Sequence, residues 1–120
     1  MRANLIIASL VLIPLSALGE PARYELDPEH TTVAFLVDHM GYASVLGVFG
    51  EISGGFTYNM DTRDLNDLSV NVATGSLDLF NAARSEHVRS DDFLNVQDFP
   101  EMTFTADSGS PESDTSGKVI

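Results

Sequence analysis

Leu68-Ser69-Val70-Asn71-Val72-Ala73 alternates aliphatic with small or polar residues at each step, and this stretch decides the fold. Successive side chains of a strand point to opposite faces, so Leu68, Val70 and Val72 share one face and Ser69, Asn71 and Ala73 the other. After Gly75 the parity reverses, because Leu77 and Leu79 now hold the odd positions. A one-residue slip of this kind predicts a β-bulge at Gly75. Bulges bend strands, and bent strands help a sheet close on itself.

The same period extends outward in both directions. Tyr24 and Leu26 alternate with Arg23, Glu25 and Asp27 until Pro28 stops the segment. Val33, Phe35 and Val37 share a face, with Thr32, Ala34, Leu36 and Asp38 on the other, and beyond Gly41 the pattern resumes with Val45, Gly47 and Phe49 together. Ser53-Gly54-Gly55 reads as a bend. Phe56, Tyr58 and Met60 form the next face, up to the polar loop Asp61-Thr62-Arg63-Asp64. Asn81 to Asn95 departs from the alternation: Ala82, Ala83, Arg84, Glu86, Arg89 and Leu94 favour helix, and Asn81 and Ser90 are suitable N-caps. Two short helical turns are expected there. Phe99-Pro100 imposes an extended residue, and Met102, Phe104 and Ala106 then share a strand face. Residues 107–117 hold no apolar side chain and read as a solvated loop, with Lys118-Val119-Ile120 opening another strand. A sheet edge left unpaired at that point is something proteins normally cover, so the expectation is a chain truncated inside a strand. The domain is read as all-β with a short helical segment, with no internal repeat and no second domain.

The first residues read differently. Met1-Arg2 precedes an apolar and small run from Ala3 to Leu18, closing on Ala17-Leu18-Gly19. A membrane-spanning helix needs roughly 20 apolar residues, whereas Pro14 and Glu20-Pro21 end this run early. Residues 1–19 are therefore expected to be a secretory signal peptide cleaved near Gly19, leaving residues 20–120 as one small domain in the periplasm or outside the cell. No cysteine follows to anchor a lipoprotein.

The part after Gly19 holds all 18 acidic residues and five of the six basic ones, a formal charge of −13. Such a surface repels phosphate backbones and lacks the basic patch that nucleic-acid binding needs. It also disfavours lasting attachment to an anionic bilayer. The absence of cysteine excludes disulfides, thiol catalysis and Cys-based metal sites. His30, His39 and His87 lack clear ligand spacing, and no metal is expected. Among the serines there is no Gly-x-Ser-x-Gly elbow, and Ser53-Gly54-Gly55-Phe56 lacks a phosphate-loop lysine. Asp91-Asp92 suits the first turn of a helix, whose dipole favours negative charge. An enzyme acting through the His39/His87 region would be the remaining catalytic reading, and no catalytic residue is assigned.

Val33, Phe35, Val37, Phe49, Phe56, Tyr58, Leu68, Val70, Val72, Met102 and Phe104 carry the large side chains of the strand faces. Spacing alone leaves two readings open: an ordinary packed core, or the wall of an elongated apolar cavity. Ala34, Leu36, Leu46 and Val48 make the opposite face apolar as well, which implies that part of the outside is covered.

Read in order, these elements resemble the YceI-like polyisoprenoid-binding family. The matching stretches are Tyr24-Glu25-Leu26-Asp27-Pro28-Glu29-His30-Thr31, Val33 to Gly41, Val45-Leu46-Gly47-Val48-Phe49, and Gly54-Gly55-Phe56 with the acidic loop and valine-alternating strand after it. The most specific is Arg84-Ser85-Glu86-His87-Val88-Arg89-Ser90-Asp91-Asp92-Phe93-Leu94, closing with Phe99-Pro100-Glu101-Met102-Thr103-Phe104. Two positions depart from the family pattern: Ser85 replaces an acid and Leu94 an aromatic residue. The resemblance runs from Tyr24 to Ala106, and family members continue for roughly another third of their length.

The resemblance implies an exported, lipocalin-like, extended antiparallel β-barrel that holds a polyisoprenoid, quinone-like lipid or similar amphiphile inside, with no cofactor and no catalytic activity. Asp27, His30, His39, Gly47, Phe49, Arg84, Glu86, His87, Phe93, Pro100 and Phe104 fall on its motif positions. The implied ligand-binding set is Val33, Phe35, Val37, His39, Phe49, Phe56, Tyr58, Val70, Val72, Arg84, His87, Met102 and Phe104. Arg84 and His87 would share a helix face near the polar head of the ligand. Alternatively, Arg84 and Glu86 would pin the helical segment to the barrel through charge-assisted hydrogen bonds. The partners implied are a hydrophobic or amphiphilic small molecule, a transient membrane contact and a possible second copy. A stress-induced interaction protein with a side-chain-filled core is the alternative.

Overall fold

A computed structural model describes residues 19–120; the expected signal peptide lies outside the described residues apart from Gly19. The described residues are all-β and antiparallel with one short helix, as the alternation predicts. Among the described residues eight strands occur in the order β1 (Ala22–Glu25), β2 (Val33–His39), β3 (Ala43–Phe49), β4 (Ile52–Tyr58), β5 (Leu65–Ala73), β6 (Leu77–Asp78), then helix α1 (Ala82–Arg89), β7 (Glu101–Pro111) and β8 (Gly117–Val119). They form a five-stranded sheet, β1-β4-β5-β7-β8, and a three-stranded sheet, β2-β3-β6. Among the described residues these two sheets are not joined into a closed barrel, and no helix is long and apolar enough to cross a membrane.

The parity reversal at Gly75 has a different cause from the expected bulge. Thr74–Ser76 form one 3-10 turn that carries the chain out of β5 in one sheet and into β6 in the other. The turn is held by hydrogen bonds from both sides. Thr74 Oγ1 donates to the Phe99 carbonyl at 2.6 Å, and Ser76 Oγ donates to the Ala73 carbonyl at 2.7 Å while accepting from the Glu51 N–H at 3.1 Å. The bulge lies elsewhere. Gly55 faces Ser69 and Thr57 faces Asn66, so three steps along β5 oppose two along β4. Asp67, at φ 51°, supplies the left-handed residue at that irregularity.

Ser53-Gly54-Gly55 is the interior of β4, not a bend. Gly54 sits at φ 133° facing Val70, and a Cβ there would collide with the Ser69 carbonyl, so glycine is required by close backbone approach. Met60 lies past the strand end, exposed. Residues 107–111 continue β7 because Ser108 and Gly109 pair with Asn66 and Leu65 on one side, and Gly109 to Pro111 pair with β8 on the other. Cross-strand partners override the loop-like composition. Lys118 and Val119 form the expected final strand.

Helix α1 begins where Asn81 Oδ1 accepts from the Arg84 N–H at 3.0 Å. It ends at Ser90, whose N–H reaches the Glu86 and His87 carbonyls. Ser90 is thus a C-cap, and hydrogen-bonded turns replace the second helical segment expected after it.

Candidate ligand-binding face

Register places the expected apolar residues in rows across the five-stranded sheet. Met102 faces Val72, which faces Ile52; Phe104 faces Val70, which faces Gly54; Ala106 faces Leu68. On the smaller sheet Val33 faces Phe49, and Phe49 faces Leu77. The two sheets meet in a corner where Phe49, Ile52, Val72, Leu77 and Leu79 are buried, with Val33, Phe35, Val45, Val70, Val88 and Leu94 packed around them. Leu77 is 1% exposed. Phe35 and Phe49 rings lie 5.7 Å apart. Gly47 faces Phe35, and any side chain there would strike the Phe35 ring and Leu79.

Away from the corner the same sheet face loses its cover. Met102 is 39% exposed and Phe104 53%, although their partners Val72 and Val70 are wholly or partly buried. On β1 and β4, Tyr24 stacks on Phe56 at 5.6 Å, and Tyr58 stands edge-on to both at 6.4 Å. Leu26, two residues on from Tyr24, packs against the corner. The aromatic cluster therefore continues the apolar face, with Arg23 and Glu25 alternating onto the other side.

The residues picked from the sequence divide accordingly. Val33, Phe35, Phe49, Val70 and Val72 come together in the corner, Phe56 and Tyr58 are half-buried in the aromatic cluster, and Met102 and Phe104 belong to the uncovered part. Val37 and His39 run out along the β2–β3 hairpin and are exposed. Arg84 and His87 lie on the exposed side of α1. His87 Nε2 is 3.2 Å from an Asp92 carboxylate oxygen, and its ring meets Phe93 edge-on at 5.1 Å.

Two residues that sequence reasoning missed pin the helix. The buried Ser85 Oγ accepts from the Leu79 N–H at 2.9 Å. Arg89 donates to the Leu77 carbonyl at 3.1 Å and the Gly75 carbonyl at 3.4 Å. Among the described residues neither the Arg84 nor the Glu86 side chain makes such a bond. The available signal was spacing, since Ser85, Val88 and Arg89 fall at i, i+3 and i+4 on one helix face.

Charge near the face is local. Asp27 caps its own turn, accepting from the Glu29 N–H at 2.9 Å and lying 2.8 Å from His30 Nδ1. The His30 bond, followed by the Glu29 N–H, holds the Asp27 carboxyl below its ordinary value. No group of three or more His, Cys, Asp or Glu side chains is arranged to hold a metal among the described residues, and no buried side-chain polar atom there lacks a partner. What the face offers is apolar area.

The sequence profile of the YceI-like domain matches residues 24–119. Similar proteins include Protein YceI of Salmonella arizonae, of Salmonella paratyphi B and of Salmonella enteritidis. Each is 34% identical over 117 residues, covering 95% of this chain and 61% of the relative. The chain thus spans about three fifths of the length of these curated relatives.

Proposed function

The chain belongs to the YceI-like domain family, and on that premise we propose that it is an exported binding protein that sequesters or carries a polyisoprenoid or similar amphiphilic lipid against its apolar sheet face. Its place of work would be the periplasm or the cell exterior. Its partner would be an apolar small molecule, with no nucleic acid and only transient membrane contact. The observation that carries the reading is the row Val70–Phe104 beside Val72–Met102, apolar across its width and continuous with the core, yet uncovered at Phe104. The mechanism is burial without chemistry. At about 0.8 kcal/mol per methylene removed from water, one isoprene unit contributes a few kcal/mol, so a long tail needs no strong polar anchor.

Phe104→Asp tests this, because it places a charge on the open face without touching the corner. The variant should fold and lose saturable binding of an apolar fluorescent probe. Undiminished binding by a folded Phe104→Asp chain would remove this face from the site. Phe35→Asp is less informative, since Phe35 packs against the core and over Gly47. The buried corner favours the interaction-protein reading only for its own part of the interior, where side chains already fill the space.

A further inference from the structure

The β2–β3 hairpin ends in a turn whose chemistry does not suit its geometry. Met40 and Gly41 both have positive φ, 55° and 75°, and the Tyr42 N–H reaches the His39 carbonyl at 3.1 Å. Met40 and Gly41 therefore sit in the left-handed region, which favours Gly, Asn or Asp. Methionine is strained there. Met40 is 80% exposed and Tyr42 88%, so neither gains packing in return. Below them Leu36 faces Leu46 across the hairpin, both exposed, and Val37 is exposed on the opposite face. Both faces of the distal hairpin are therefore apolar.

Charge separates this element from the rest. From Thr31 to Gly50 the only acidic residue is Asp38 and there is no Lys or Arg; the other 17 acidic residues lie elsewhere. Asp38 is exposed, and one of its carboxylate oxygens is engaged by the turn itself, accepting from the Gly41 N–H at 2.8 Å. An apolar tip carrying tyrosine and methionine, on a strongly acidic body, matches a lipid surface of low charge: aromatic residues settle at the headgroup level, and the body is repelled by anionic lipid.

We infer that the β2–β3 tip, Met40 and Tyr42, is the surface through which the protein touches a zwitterionic bilayer. It rests on the carrier reading for its purpose, supplying the contact at which a membrane-resident amphiphile would be exchanged. Its geometry is separate from the open face of the five-stranded sheet.

The test is flotation of the purified full chain with phosphatidylcholine vesicles, with and without added phosphatidylglycerol. The native chain should float with phosphatidylcholine, and less so as phosphatidylglycerol is added. Met40→Asn should raise the thermal midpoint by relieving the turn yet weaken vesicle binding, and Met40→Asp with Tyr42→Asp should weaken it roughly tenfold or more. Apolar-probe binding by these variants should be unchanged, and a native chain that floats with phosphatidylcholine yet binds no apolar probe would count against the carrier reading and not against the tip. The chain has no tryptophan, so Tyr42→Trp gives a single reporter whose emission should shift to the blue on phosphatidylcholine. Flotation that is absent in the native chain or unchanged in the variants would overturn the inference. So would unshifted Trp emission, or tip variants that alter only the oligomeric state, which would make the tip a contact between copies.

Discussion

Two regions of one apolar surface follow the same sequence rule and end in different environments. In the corner, Phe49, Ile52, Val72, Leu77 and Leu79 are sealed by the second sheet and the α1 segment. One strand over on the same sheet face, Met102 and Phe104 of β7 are left open. Alternation assigns side chains to a face; it does not say what covers that face. The corner is covered by this chain's own side chains, and the open part is left exposed at Met102 and Phe104.

The sharpest way to break this comparison is to truncate one residue in each region. Leu77→Ala should cost about 2–5 kcal/mol, because it empties a filled site. Phe104→Ala should stay within about 1 kcal/mol, as surface substitutions do. Urea denaturation of both variants decides it, and equal losses would mean that the open face is packed. Gly47→Val comes next. It forces the Phe35 ring out of its seat and should lower stability by about 1–3 kcal/mol, with no comparable effect from Gly50→Ala, where a Cβ meets open space.

Ser85→Ala sharpens the corner's boundary. It leaves the buried Leu79 N–H without its acceptor, a loss of about 1–2 kcal/mol, and hydrogen exchange at Leu79 should rise. Unchanged exchange would show that the α1 segment does not seal the corner. The smallest effect lies outside both regions. Because the Asp27 carboxyl is held below its ordinary value of 3.8, chiefly by His30, it adds stability above that pH that fades as pH falls through its lowered value. The Tm difference between the native chain and Asp27→Asn should therefore be largest near neutrality and shrink on acidification; a gap that widens in acid would contradict the assignment.

Much of this architecture was legible as alternation. Spacing puts Val33, Phe35, Phe49 and Val72 among the large side chains of the strand faces, leaving core and cavity wall both open, and the structure packs them together. What escaped was set by partners far away in sequence. Ser53-Gly54-Gly55 reads as a turn until β1 and β5 flank it, and residues 107–111 read as loop until Leu65, Asn66 and β8 pair with them. The parity slip at Gly75 was a true signal with two causes, a bulge within one sheet or a passage between two, and periodicity cannot choose between them. Ser85 looked like a departure from the family pattern, yet its hydroxyl is the buried acceptor that ties α1 to Leu79. For the candidate site, sequence named the apolar residues but could not separate the sealed from the open, since exposure depends on what lies across the sheet.

The central claim is that the open face holds an amphiphile, and native mass spectrometry of the protein purified from its own host tests it most directly. A folded chain carrying a bound species of polyprenyl or quinone-like mass, lost in the Phe104→Asp variant, is the predicted result. A folded chain that is bare, and that takes up no apolar probe, would contradict the account.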